Sequence, residues 1–146
     1  MRAWLLVVVT TAVDQASKLA AQAILKGHGS VPVIPPFVQL TYVENTGAAF
    51  GMLQGQVAAL IVISVIVSAW LIQMVRKSSG DRSSLWALAV ILGGALGNLL
   101  DRLRLGFVVD FLDLRVWPVF NLADSAITVG IAWLLWQAVR PVRPRP

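Results

Sequence analysis

The sequence predicts an all-α membrane protein built on four spanning helices, and three observations carry that expectation. Of 146 residues, 58% are hydrophobic and 13% are charged, against roughly 25% charged in an ordinary soluble domain. Too few charges remain to cover a water-facing surface, and the mean hydropathy is +0.77. Four stretches approach the ~20 mostly apolar residues that a span requires. Basic residues gather on one side of the resulting hairpin stack, as the positive-inside rule demands. The length permits one domain, residues 1–146.

The first span, about residues 3–25, is interrupted by Asp14 and Lys18. Arg2, the apolar stretch after it and Ala21-Gln22-Ala23 vaguely resemble a cleaved signal peptide. Asp14 and Lys18 fall where such a peptide should be neutral, so a retained helix is expected. A long connection follows, in which Val38, Leu40 and Tyr42 alternate with Gln39 and Thr41, the period of a half-buried strand. The second span, about 57–74, is uncharged, and the third, about 85–100, is short and contains glycines. Residues 101–122 are apolar for a loop and are expected to lie in the membrane interface. The fourth span, about 123–139, has Asp124 at its start.

Seven of the twelve Lys and Arg (Arg2, Arg76, Lys77, Arg82, Arg140, Arg143 and Arg145) then share one side, which makes both termini cytoplasmic. Trp4, Trp70, Trp86, Trp133 and Trp136 fall near the same ends, as an interfacial belt would. The net charge of +5 is therefore mostly topology, and nucleic acid is not an expected partner, because no basic face is interleaved with aromatics outside the membrane flanks. Of seven acidic residues only Asp81 is cytoplasmic. Glu44, Asp101, Asp110, Asp113 and Asp124 cluster in or beside the outer connections, so function is expected on the outer face.

Charges at membrane depth cost ~2.5–3.5 kcal/mol each even on the lenient insertion scale, so they need partners or a task. Asp14 and Lys18 stand i,i+4, acid first, and can pair on one helix face. They pin helix one to its neighbours, or Lys18 faces a substrate cavity. Ser17 beside Lys18 suggests a Ser/Lys hydrolase, although adjacent helix residues point in different directions. Gly93 and Gly97 form a small-xxx-small face for close helix packing. Asn98, Asp101 and Arg102 converge on one face of the same helix, where Asp101 and Arg102 satisfy each other or nearby groups. Asp110 is flanked by valines and Phe111, so burial should raise its pKa. Asp124 is either an N-cap or a second carboxylate beside Asn121. Two close carboxylates share a proton, one acting as base towards water and the other donating to the leaving group. With no cysteine and His28 as the one histidine, zinc lacks its usual ligands. A carboxylate-bound divalent ion remains the alternative, and no cofactor is expected.

Five motifs in order, Asp14-Gln-Ala-Ser-Lys18, Asn45-Thr-Gly47-Ala48-Ala49-Phe50, Gly93 to Arg102, Val108-Val109-Asp110-Phe111 and Phe120-Asn121-Leu-Ala123-Asp124-Ser125, resemble those of the lipoprotein signal peptidases, the type II signal peptidase family of bacterial inner membranes. The resemblance implies an aspartic endopeptidase that cuts a prolipoprotein before its diacylglyceryl cysteine. It assigns Asp110 and Asp124 as the catalytic pair, with Asp101 as the alternative to Asp110. Asn45, Gly47, Asn98, Arg102 and Asn121 become substrate- or inhibitor-binding, and Asp14, Lys18 and Asp101 supporting. It also implies an extracytoplasmic β-cradle at about 31–55, an interfacial helix within about 103–120, sensitivity to globomycin-like cyclic peptides, contact with membrane lipid and a monomer. Gly47-Ala48-Ala49 suggests a close backbone approach. The competing readings are a small proton- or ion-coupled transporter, since intramembrane acids mark ion paths, and a non-catalytic membrane scaffold.

Overall fold

The structure, a computed structural model, describes residues 2–47, 52–77 and 82–140. Ala48, Ala49 and Phe50 of the second motif, and Asp81, Arg143 and Arg145 of the charge argument, lie outside the described residues. In chain order the elements are α1 (Arg2–Leu25), β1 (Val31–Ile34), β2 (Val38–Asn45), α2 (Val57–Lys77), α3 (Arg82–Leu105), β3 (Val108–Asp113) and α4 (Leu122–Val139). Three of the helices, α2, α3 and α4, are long and apolar enough to cross a membrane. Asp14 and Lys18 interrupt α1 and lower its hydropathy, although it is as long as α3.

The central helix is α3. Its apolar window is 56% buried, against 17% for α2 and 11% for α4, so α3 is wrapped by protein while the others present Val, Ile, Leu and Trp outward. Close approach to α3 depends on its small residues. A Cβ on Gly93 would lie 2.6 Å from Thr10 Cβ, and one on Gly97 would collide with the Asp14 carboxylate. The Gly93/Gly97 face therefore packs against α1, as expected of such a pair. Gly97→Ala should cost about 1–3 kcal/mol, the usual penalty of overpacking, because Asp14 is held in place by two further partners. Thermal unfolding in detergent reads this directly, and an unchanged midpoint would contradict the packing.

The three strands form one antiparallel sheet in the order β1-β2-β3. This corrects two expectations. Among the described residues of the expected cradle at 31–55 there are two strands, and the third strand of the sheet comes from after α3. Residues 103–120, expected to hold an interfacial helix, contain none. Instead α3 runs on to Leu105 and stops at Gly106, whose φ of +79° glycine adopts without cost. The chain then turns straight into β3. Val108 to Asp113 is buried along almost its whole length, because one face packs on the end of α1 through Phe111, Ala21 and Leu25 and the other lines a cavity. After β3 the chain doubles back, and Phe120 pairs with Leu112 as an isolated bridge. Asn121 follows at once and starts α4.

Candidate active site

Beneath the sheet lies a buried polar layer. Lys18 Nζ meets Asp14 Oδ2 at 2.8 Å and Asp101 Oδ2 at 3.0 Å, and donates to Asn98 Oδ1 at 2.7 Å. An ammonium has three donors, so Lys18 is saturated. Asp14 Oδ1 accepts from Ala123 N of α4 at 2.8 Å. Asp101 also accepts from Gln15 Nε2 (2.8 Å) and Val109 N (3.1 Å). Lys18 thus joins α1 to α3 and does not face a cavity, and Ser17 Oγ donates to Asp14 O, away from any Ser/Lys partnership. Asp101 pairs with Lys18. Its sequence neighbour Arg102 points elsewhere, because adjacent helix residues diverge by about 100°.

Above this layer is a cavity of about 400 Å³. Its polar side is formed by Asn45, Gly47, Asn98 and Arg102, and both Asp110 and Asp124 open into it. The rest of the lining is mainly apolar, made by Val108, Trp117, Pro118, Val119, Phe120 and Ile127. Three asparagines hold the two carboxylates. Asn45 Nδ2 donates to Asp110 Oδ2 at 2.8 Å, and Asn121 Nδ2 to Asp110 Oδ1 at 2.6 Å. Asn98 Nδ2 donates to Asp124 Oδ1 at 2.8 Å, while Asp124 Oδ2 accepts from Asn121 N at 3.2 Å.

The orientation of each amide is fixed by what its oxygen accepts. Asn45 Oδ1 takes Gly47 N (2.9 Å), Asn98 Oδ1 takes the Lys18 ammonium, and Asn121 Oδ1 takes Asp124 N (3.0 Å). With every oxygen occupied by a fixed donor, each NH₂ must face a carboxylate. Asn121 is the N-cap of α4, and Asp124 closes the reciprocal capping box from the third helical position. Asp124 is therefore not the N-cap that the sequence suggested. Arg102 donates to Gly47 O at 3.2 Å and carries positive charge into the cavity.

Burial pushes the Asp110 carboxyl up to about 6, the nearby Asp124 adds to this, and the amides of Asn45 and Asn121 oppose it. One carboxyl poised near neutrality beside another is an acid–base pair suited to protonating one atom while deprotonating a second. Among the described residues no group of three or more His, Cys, Asp or Glu side chains is placed to hold a metal ion. The structure thus brings Asn45, Gly47, Asn98, Arg102, Asp110 and Asp124 around one space. Asn121 is fully buried behind the carboxylates, and Asp14, Lys18 and Asp101 lie beneath. Sequence reasoning missed Gln15, although it sits inside the first motif. It also missed Thr128, which lines the cavity and stands i+4 from Asp124, the spacing that puts two residues on one helix face.

Residues 6–140 match the family described as signal peptidase (SPase) II. The lipoprotein signal peptidase of Moorella thermoacetica is 49% identical over 138 residues, covering 94% of this chain and 92% of that protein. That of Halothermothrix orenii is 45% identical over 137 residues, covering 92% and 94%. A bacterial membrane enzyme solved by the in meso method at 2.3 Å superposes with a TM-score of 0.89 at 29% identity, over 99% of this chain and 94% of that one. A second such enzyme, solved at 1.9 Å, gives 0.86 at 31% identity, over 97% and 94%.

Proposed function

Because this chain belongs to the signal peptidase II family, we propose that Asp110 and Asp124 are the catalytic pair of an aspartic endopeptidase that cuts prolipoproteins before a diacylglyceryl cysteine. The observation that carries the reading is the opening of both carboxylates into one cavity, each held by asparagine amides and, among the described residues, neither in an ion pair within 4 Å. A shared proton is then available. The ionised carboxylate takes a proton from water as its oxygen attacks the scissile carbonyl carbon. The protonated one donates to the carbonyl oxygen, and the proton then passes to the departing amine. Arg102 and the three amides hold the substrate backbone and the carboxylates in register. Globomycin-like cyclic peptides would occupy the same space.

Location follows from the same residues. Asp14 and Lys18 of α1 turn inward, while Leu5, Val8, Val9, Val13, Leu19 and Ile24 are exposed, so α1 serves as a fourth span beside α2, α3 and α4. Arg2, Arg76, Lys77, Arg82 and Arg140 lie at the helix ends away from the sheet. That end is cytoplasmic by the positive-inside rule, both termini are cytoplasmic, and the cavity opens at the outer face of the bacterial inner membrane. A substrate anchored by its lipid cannot leave the bilayer, and the cavity meets it there.

The test is cleavage of a lipidated prolipoprotein peptide across pH. Asp110 must carry the shared proton, so kcat/KM should fall as pH rises through an alkaline limb at or above about 6. Asn45 donates to the ionised form of Asp110 and favours it. Asn45→Ala should therefore move that limb upward, and a limb that stays put or moves down would contradict the assignment.

A further inference from the structure

We propose that the loop of residues 114–119 receives the diacylglyceryl group of the substrate cysteine, with Trp117 as a specificity-determining residue. This rests on the peptidase reading above. The lipid is attached to the residue immediately after the cut, so it must lie within a few bonds of the carbonyl that water attacks. The polar side of the cavity is committed to amides and a guanidinium, which suit a peptide backbone. Of the cavity's apolar lining, Trp117, Pro118 and Val119 come from this one loop.

Trp117 is 56% exposed and also lines the cavity, and its neighbour Val116 is 91% exposed. Outside the helices, so much bare apolar surface is unfavourable in water and calls for lipid. A bilayer would account for Val116, but a side chain that borders both the open surface and the catalytic space marks a route between them. The loop is also built to hold its shape. Asp113 Oδ1 accepts from Arg115 N at 2.8 Å, and Oδ2 accepts from Gln39 Nε2 at 2.6 Å and Thr41 Oγ1 at 3.1 Å. Arg115 is held at a φ of +67°, a conformation a non-glycine residue keeps only when its surroundings impose it. At the base, Phe120 N donates to Leu112 O at 3.0 Å and Leu112 N to Phe120 O at 2.8 Å. Trp117 is thus presented from a fixed loop to the space beside Asp110.

The experiment compares kcat/KM for two peptides of one sequence, carrying dipalmitoylglyceryl or dibutyrylglyceryl cysteine. Wild type should prefer the long chains. Trp117→Ala should lower the long-to-short ratio tenfold or more, and Trp117→Phe should keep most of it. Val116→Ser, at a position too exposed to unfold the protein, should lower the ratio in the same direction by a smaller factor. Equal losses on both peptides, or an unchanged ratio in both Trp117→Ala and Val116→Ser, would overturn the proposal and leave the loop as a bilayer contact. Cleavage that persists in Asp110→Asn would instead strike the placing of the reaction beside Asp110, so the two failures are distinct.

Discussion

Asp110→Asn and Asp124→Asn should each reduce cleavage of a lipidated substrate by about three orders of magnitude or more, since general acid–base catalysis is worth ~10²–10⁴ and neither amide can share a proton with its partner. The two should not behave alike in stability. The folded Asp110 carboxyl titrates at about 6, against an ordinary value of 3.8. A raised carboxyl contributes stability only while protonated; that contribution is complete below about 4 and is lost as pH rises through about 6. At pH 7–8 the ionised Asp110 therefore costs about 3 kcal/mol, so wild type should unfold at a lower temperature at pH 8 than at pH 5, whereas Asp110→Asn, which cannot ionise, should lose that pH dependence along with activity. Asp124 closes the capping box of α4 and its charge adds to the push on Asp110, so Asp124→Asn should keep the pH dependence of stability and lose only the part that this charge contributes. Cleavage within tenfold of wild type by either variant would remove that residue from the chemistry.

The second large effect belongs to a residue outside the cavity. Lys18→Met keeps the length of the side chain and removes its charge, leaving Asp14 and Asp101 buried with no cation between them. Breaking a buried pair from one side costs about 3–5 kcal/mol, so the unfolding midpoint in detergent should drop by on the order of 10 °C. Activity should fall as well. Without the Lys18 ammonium on its oxygen, the Asn98 amide loses what fixes its NH₂ towards Asp124. Adding Asp101→Asn to Lys18→Met should recover part of the stability, since it removes one stranded charge. A midpoint within 2 °C of wild type, on the same scale, would show that Lys18 is not the keystone of the layer.

What the sequence made legible was whatever repeats with a period or stands in a short motif. The roles of the site residues come with the family resemblance, but the spans at α2, α3 and α4 announce themselves by hydropathy, Asn98 by its helix face, Asp110 by its apolar neighbours and Asp124 by its place beside Asn121 at a helix start. β3 did not, because both its faces are buried and a strand covered on both faces loses the alternation that identifies it. The apolar run after α3 therefore reads only as an interfacial segment, to which the family resemblance adds a helix. The pairing of Asp101 was also hidden. Arg102 is adjacent in sequence, whereas Lys18 lies on another helix, and only the fold brings it within 3.0 Å. Capping was ambiguous for a simpler reason. Asn121 and Asp124 are both good N-caps, and a box that uses one at each end can be read either way until the backbone is known.

The i,i+4 ion pair within α1 has a consequence for biogenesis. The segment emerges from the ribosome 80 positions before Asn98, long ahead of the α3 groups that finally surround Lys18. Until then Asp14 alone can cancel the ammonium, letting the segment partition into lipid as a neutral unit. On the reading of α1 as a fourth span, the arrival of α3 converts a temporary truce into permanent anchorage, and integration of the first helix is completed by the third.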